Sequence, residues 1–322
     1  LLTSLPLIAV GYAVFGIAQS WEITMAALVL TSLSTSMAMT VCPMICGNTL
    51  TSAERATGMQ LCDTLAALPR IIAPVVAAFI ISRFGGLSVE GIRPLYWLQT
   101  AGIAAAAAVI YLWFQNPVAP GGGGRRSLAE GVRRILDEGT TVKRWILYQV
   151  ISAFPMYLAI YVPLYAREFK MADQYTLGMM DTGFYVVVTL LAIPSGILAD
   201  RIGRRRLIAL VTPLYCLSML LLVYADGAPL LILAGLLSGF SFVSGVTAGA
   251  ISVELVPRDL LGSWFGLHGL FRGIINMGSP ILGGLLWNRL GPEYVFYFLA
   301  ASQMLKLAVL WTVPETTRRV PP

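Results

Sequence analysis

Long apolar stretches follow one another along the chain and are separated by short polar segments. A stretch of about 20 apolar residues can cross a hydrocarbon core of about 30 Å as a helix, because a helix satisfies its backbone hydrogen bonds without water. The stretches lack the alternation of polar and apolar positions that barrel strands show. The pattern therefore predicts ten transmembrane helices, at residues 1–19, 23–47, 57–82, 94–115, 144–166, 175–199, 207–225, 229–254, 261–287 and 294–313.

Composition and charge agree with an all-α membrane protein and indicate its orientation. Hydrophobic residues make up 57% of the chain and charged residues 12%, whereas about a quarter of the residues in a soluble protein are charged. The net charge of +6 comes from Lys and Arg residues that concentrate in alternate loops. Because positively charged loops stay in the cytoplasm, we expect a multi-pass protein of the plasma membrane with a cytoplasmic C-terminus. The same distribution argues against nucleic acid as a partner.

Cysteine and histidine give no sign of a metal or cofactor site. Cys42, Cys46, Cys62 and Cys216 all lie in apolar stretches, and His268 is the single histidine. A zinc site needs more nitrogen and sulfur ligands than this arrangement offers, and a nucleophile-based hydrolase needs a base beside its serine. The sequence also lacks a P-loop pattern. We therefore expect no metal, no cofactor and no enzymatic activity.

The chain repeats itself at long range. Pro6 in the first apolar stretch corresponds to Pro213, and Pro74 in "IAPVVAA" corresponds to Pro280 in "GSPILGG". Such repeats are typical of transporters built from two pseudo-symmetric halves. The same offset leaves the second half with two helices that have no partner in the first, so we expect a truncated form of a twelve-span protein. The predicted division is a first half at 1–116, a cytoplasmic linker with a short amphipathic helix at 117–142, and a second half at 143–322.

The stretch "GILADRIGRRR" places an aspartate and four arginines between two apolar segments. Its glycine, Asp-Arg and Gly-Arg-Arg resemble the signature loop of the major facilitator superfamily. The features "ERATG", "GSPILGG" and a closing "PET" extend the resemblance over the whole chain. The resemblance implies a bundle of about ten transmembrane helices, which would be helices three to twelve of the family fold. The matching positions are Gly196, Asp200, Arg201, Gly203, Arg204 and Arg205.

The residues of this loop are expected to have separate physical roles. Gly196 should let its helix approach a neighbour closely, and Gly203 should permit a tight turn. Asp200 should face the positive N-terminus of the helix that begins near residue 261. The arginines should pair with acidic groups and form a cytoplasmic clasp that opens and closes, as the resemblance implies; alternatively, they serve topology alone. The expected acidic partners are Asp200, Glu254 and Asp259.

Polar groups inside the apolar stretches are candidates for a substrate or proton site, since each ionisable group among them costs at least roughly 2.5 kcal/mol at mid-bilayer. His268, Arg272 and Asn276 recur every four residues and predict a polar stripe on one helix. Asp63 and Arg70 lie on one face of the matching helix of the first half. The family resemblance places both helices at a central cavity. The candidate set is Asp63, Arg70, Asp181, His268, Arg272 and Asn276.

Two readings of these groups stay open. Two cavity arginines would suit an anionic substrate through bidentate contacts, or each arginine could form a purely structural ion pair. Asp63, Asp181 and His268 are candidates for proton coupling, and a helix-packing hydrogen bond is the alternative for each. Lys306 is expected to lie on a peripheral helix and to extend its amine towards the membrane interface.

The function expected from these features is secondary active transport of a small solute by alternating access, coupled to protons. An export-type or organic-anion permease is favoured. A non-transporting or inactive truncated protein and a sugar-type importer are the alternatives. The expected partners are a small-molecule substrate, a proton and the lipid bilayer, and the expected state is a monomer.

Overall fold

The computed structural model describes residues 4–49, 55–113, 133–135, 137, 139–255 and 261–315, and these residues form helices without a β-strand. The main helices are α1 (Ser4–Ile17), α2 (Trp21–Thr49), α3 (Arg55–Arg83), α4 (Val89–Trp113), α5 (Thr140–Leu158), α6 (Tyr161–Glu168), α7 (Gln174–Ile202), α8 (Arg204–Tyr224), α9 (Ala228–Ser238), α10 (Phe240–Leu255), α11 (Leu261–Arg289) and α12 (Glu293–Leu310).

These twelve helices correspond to the ten predicted spans, because two spans are interrupted. The span of α5 and α6 breaks just after Pro155, whose carbonyl accepts from the backbone of Ala159. The span of α9 and α10 breaks at Gly239. Within the described ranges, six stretches are long and apolar enough to cross a membrane by length and composition, namely Val89–Trp113, Thr140–Glu168, Gln174–Ile202, Arg204–Tyr224, Ala228–Ser252 and Glu293–Leu310. The prediction of an all-α membrane fold is confirmed.

The helices form two compact units, Leu1–Gly123 and Gly124–Pro322. In the first unit, α1 packs against both α2 and α4, and α3 packs against α2 and α4. The ring of Phe15 on α1 stacks on Tyr96 of α4, with centroids 5.2 Å apart. The guanidinium of Arg93 donates to the carbonyl of Ala18 at 3.0 Å and so ties the start of α4 to the end of α1.

In the second unit, α12 lies against α5 and α8, α11 lies against α5, and α9 and α10 pack on α7 and α8. Gly235 brings α9 close to α7, since a Cβ at this position would lie 2.5 Å from the backbone oxygen of Met180. Small residues permit such close helix contacts in membranes, where dispersion and hydrogen bonds drive packing.

One core of the second unit is built from residues of α5, α8, α10, α11 and α12. Trp145, Trp264 and Leu310 are among its buried members. Ile135 from the region of the predicted amphipathic helix is fully buried in the same core. The rest of that predicted helix is described only at residues 133, 134 and 137, which are exposed, and residues 117–132 of the predicted linker lie outside the described residues.

Candidate functional site

We call the stretch "GILADRIGRRR", residues 196–206, the charged loop. It contains a one-residue connection between α7 and α8. Gly203 alone separates Ile202 from Arg204, and its backbone has φ of 99° and ψ of 140°. This conformation is strained for residues with a Cβ and ordinary for glycine. The tight turn expected at Gly203 is therefore present.

The acidic group that meets this turn is Glu315, near the C-terminal end of the described chain. Its Oε1 accepts hydrogen bonds from the backbone N–H groups of Arg204, at 3.0 Å, and Arg205, at 3.4 Å. These are the first donors of α8, which have no partner inside their own helix. A carboxylate at this place also interacts favourably with the helix dipole. The contact leaves no room beside it, since a Cβ on Gly203 would lie 2.8 Å from Glu315 Oε2.

Arg205 holds the segment that leads to Glu315. Its Nη1 donates to the carbonyl of Val313 at 2.7 Å, and its guanidinium lies 4.7 Å from the centroid of the Trp311 ring. Arg144 of α5 donates to the neighbouring carbonyl of Thr312 at 3.1 Å. We call residues 311–315 the closing segment. Arginine side chains and the start of α8 thus hold this segment against the charged loop.

Asp200 makes a weaker contact. Its carboxylate lies 3.7 Å from the guanidinium of Arg204, and its side chain is 70% exposed. Exposed ion pairs of this kind contribute about 0 to 1 kcal/mol.

Arg201 is exposed. Gly196 is also exposed, and an added Cβ would meet no described atom within 4 Å, so the close helix approach expected there is not found.

The other acidic partners stay predictions. Asp259 lies in 256–260, outside the described residues, and the side chain of Glu254 is also outside them. The same holds for Asp63, whose helix is described but whose side chain is not. Arg70 of α3 is exposed. The predicted pairing of Asp63 with Arg70 is therefore untested.

A cleft between α5 and α11 brings together part of the predicted polar stripe. His268 and Arg272 line it, together with Gln149 and an otherwise apolar wall. The cavity volume is about 10 Å³, which is room for roughly one water molecule. Asn276 and Asp181 are exposed and do not line this cleft. The lining residues are Ile146, Gln149, Val150, Ala153, Trp264, Leu267, His268, Phe271, Arg272 and Ile275.

Arg272 is the cation of this cleft. Its Nη2 donates to the thioether sulfur of Met156 at 3.3 Å. A thioether is a weak acceptor, while a guanidinium carries five N–H donors. Within the described part of the chain, Arg272 forms no ion pair. Among the described residues, Met156 is thus the hydrogen-bond partner found for its guanidinium.

Gln149 in the cleft wall belongs to a group of hydrogen-bonded side chains that sequence reasoning missed. The Gln149 amide donates to Ser252 Oγ at 3.1 Å, and the Trp145 indole donates to the same oxygen at 2.9 Å. A glutamine in an apolar stretch was the available signal, but only the packing of α5 on α10 identifies its partner. Glu315 was also missed, although the closing "PET" contains it.

Lys306 differs from its expected position. Its side chain is 4% exposed, and its amine donates to Ser244 Oγ at 3.1 Å. The prediction that it extends to the interface was wrong, because its face of α12 packs against α5 and α8.

Among the described residues, no group of three or more His, Cys, Asp or Glu side chains is arranged to hold a metal ion.

Solved structures share this fold over nearly the whole chain. The Escherichia coli fucose:proton symporter aligns with a TM-score of 0.64 at 16% identity, over 98% of this chain and 83% of that one. The xylose transporter XylE of Escherichia coli aligns with a TM-score of 0.70 at 13% identity, over 98% of this chain and 82% of that one. Identities this low establish the fold alone.

Sequence comparison adds the family. A class B tetracycline resistance protein of Escherichia coli is 26% identical over 158 residues, which are 48% of this chain and 39% of that protein. The matched stretch thus spans about two fifths of that relative's length. The family model described as Major Facilitator Superfamily matches residues 150–322, more than half of the chain. With its helical fold and its charged loop, the chain belongs to the major facilitator superfamily.

Proposed function

We propose that this chain is a secondary active transporter that moves a small organic anion by alternating access, coupled to protons and in the direction of export. The observation that carries this proposal is Arg272, a cation on α11 that lines the cleft and donates to a thioether. A charge inside a membrane helix costs at least roughly 2.5 kcal/mol unless a partner or water compensates it. A carboxylate or phosphate would supply that partner through a bidentate contact.

The cleft wall supports an organic rather than a highly polar substrate. Apart from Gln149, His268 and Arg272, its lining is apolar and includes the rings of Trp264 and Phe271. Ligand sites commonly combine such a wall with a few polar groups that orient the ligand. A sugar would leave most of its hydroxyl groups without partners here. An anion with an apolar body matches the chemistry of both parts of the lining, and its entry requires the cleft to open beyond its present volume of about 10 Å³.

Alternating access needs an element with two stable arrangements. We assign that role to the charged loop of Asp200, Gly203 and Arg205 on the cytoplasmic side. Contact with Glu315 is one of its arrangements, and contact with Glu254 or Asp259 is the predicted other. Each contact involves a carboxylate with a helix N-terminus or arginine, so exchanging them costs little net free energy.

The proposed direction follows one relative, a tetracycline resistance protein. The proposed coupling rests on the titratable groups that the sequence places inside the apolar stretches. Asp63, Asp181 and His268 are the proposed proton carriers. The protein is proposed to act as a monomer in the plasma membrane, with its C-terminus in the cytoplasm.

The decisive experiment is anion flux in proteoliposomes. Reconstituted protein should move p-aminohippurate, an aromatic carboxylate, when a pH gradient is imposed, and glucose should not compete. Arg272→Gln should reduce this flux at least about tenfold, because a charge-assisted pair is worth about 1.5 to 3 kcal/mol. Arg70→Gln tests the equivalent cation of the first unit.

The matched control is Arg289→Gln, at the exposed end of the same helix α11. It should leave both flux and thermal stabilisation by p-aminohippurate unchanged. Equal flux in the Arg272→Gln variant and the wild type would contradict the assignment of an anion to this cleft. An absence of flux for every probe would favour the non-transporting alternative.

A further inference from the structure

Lys306 is a buried cation that the proposed substrate site does not use. Its side chain is 4% exposed although it lies on an apolar helix, α12. Helices α5, α8 and α11 pack against α12, and α10 reaches the amine through Ser244. The lysine therefore points into the helix bundle, away from both lipid and water.

The amine has a hydroxyl partner and, in the part of the chain that the structure describes, no carboxylate partner. Nζ donates to Ser244 Oγ at 3.1 Å, and Lys306 forms no ion pair within the described residues. An ammonium removed from water is strongly destabilised unless an opposite charge or several hydrogen bonds replace its hydration. One serine oxygen satisfies one of its three N–H donors. This environment is poorly suited to a permanent positive charge.

The same environment can hold the amine with or without its extra proton. A serine hydroxyl accepts from an ammonium and can also donate to the lone pair of a neutral amine. Among the described residues, two titratable groups face this site: the thiol of Cys216 from α8 interacts with the amine, and the buried phenol of Tyr148 from α5 lies close to Ser244. Neither α10 nor α11 adds a described titratable group to the interactions of Lys306.

A row of neighbouring side chains lies between this amine and the cleft, although the Tyr148 hydroxyl forms no hydrogen bond among the described residues. The ring of Tyr148 stacks on Trp145, with centroids 4.5 Å apart and planes 7° from parallel. Trp145 donates to Ser252, which also accepts from the amide of Gln149 in the cleft wall. Lys306 thus contacts Ser244, and Tyr148 and Trp145 lie between this pair and the side of the cleft opposite α11.

We propose that Lys306 is a proton-binding site inside the second unit, and that its protonation is sensed at the cleft through Ser244 and Tyr148. Binding forms one N–H bond between a proton from water and the Nζ lone pair, and release returns that proton to water. Proton binding at Lys306 does not depend on the proposed function. Only the link to the cleft rests on that function, because it treats the cleft as part of the substrate path.

The sequence makes this site directly observable. The chain has three lysines, Lys143, Lys170 and Lys306, and the single histidine His268 lines the cleft. Selective ¹³C labelling of lysine Cε and histidine Cε1 therefore gives three lysine resonances and one histidine resonance from the full chain in detergent micelles. Lys143→Arg, Lys170→Arg and Lys306→Met assign the lysine signals.

The titration is followed from pH 6 to pH 11. Lys306 should titrate in a step of its own, distinct from that of the exposed Lys143, and the His268 resonance should shift in that same step. Lys306→Met should remove this response of His268. Any of three results would overturn the proposal. Lys306 could titrate together with Lys143, Lys306 could stay charged over the whole pH range, or the His268 signal could stay unchanged in the Lys306 step.

A second variant covers the case in which Lys306→Met fails to fold. Ser244→Ala keeps the lysine and removes its hydroxyl partner, so the Lys306 step should move from its wild-type position. Ser302→Ala is the matched control, since the Ser302 hydroxyl on α12 donates to Leu299 of its own helix, and it should leave the step in place. No flux enters these measurements, so failure of anion transport and failure of this site give separate results.

Discussion

The contact of Glu315 with the start of α8 yields the most direct prediction. Glu315→Ala removes the carboxylate that accepts from the backbone of Arg204 and Arg205. Loss of a helix N-cap acceptor typically costs about 1 kcal/mol, and loss of a negative charge at a helix N-terminus costs a further 0.3 to 1 kcal/mol, roughly. Because Glu315 is exposed, the freed N–H groups are rehydrated and no burial penalty is added. The expected total is about 1 to 2 kcal/mol.

This free energy measures how firmly the closing segment is docked, and amide hydrogen exchange reports it. A change of 1 to 2 kcal/mol corresponds to roughly a 5- to 30-fold change in the open population. The amides of Arg204 and Arg205 should therefore exchange about 5- to 30-fold faster in Glu315→Ala. Glu315→Gln should give a smaller effect, since its amide oxygen still accepts but carries no charge.

Glu293→Ala is the control, because Glu293 lies in the first turn of α12 and makes none of these contacts with the loop. It should leave exchange at Arg204 and Arg205 unchanged. Wild-type protection of both amides in Glu315→Ala would refute the reasoning. Arg205, through Val313 and Trp311, would then hold the closing segment without the carboxylate.

Two further predictions concern other positions of the second unit. Gly203→Ala should lower the thermal midpoint, because a left-handed backbone costs about 1 to 2 kcal/mol for a residue with a Cβ and that Cβ would meet Glu315. Gly196→Ala in the same motif should not lower it, because glycine inside a helix is roughly 0.5 to 1 kcal/mol less favourable than alanine and the added Cβ would meet no described atom within 4 Å. Hydrogen bonds from Thr176 lower the pKa of the Asp173 carboxyl, so its contribution to stability is present above its unfolded value of about 3.9 and is lost as the pH falls through the lower folded value. Asp173→Asn keeps a side-chain oxygen at the cap but does not titrate. In thermal melts from pH 6 to pH 2 this variant should lose less stability than the wild type. An equal loss would exclude Asp173 as a source of the pH dependence.

The charged loop and the polar stripe of α11 show how far a functional site can be predicted from local sequence. The turn at Gly203 followed from its neighbours in the sequence, because a connection of one residue between helices calls for a left-handed backbone. Its partner Glu315 is separated from it by more than 100 residues, and no local pattern selects it over Glu254 or Asp259. The same limit applies to the polar stripe. Four-residue spacing places His268, Arg272 and Asn276 on one face, but Asn276 does not line the cleft, whereas His268 and Arg272 do.

The sequence by itself determined the membrane class, the helices and the charged loop, because hydropathy and turn chemistry depend on residues that are close along the chain. Tertiary structure decided which face of each helix is covered. In a soluble protein, a polar face marks the side turned to water. In lipid both the covered and the uncovered faces are apolar, so the burial of Lys306 against Ser244 and the exposure of Asn276 were settled only by the packing of neighbouring helices.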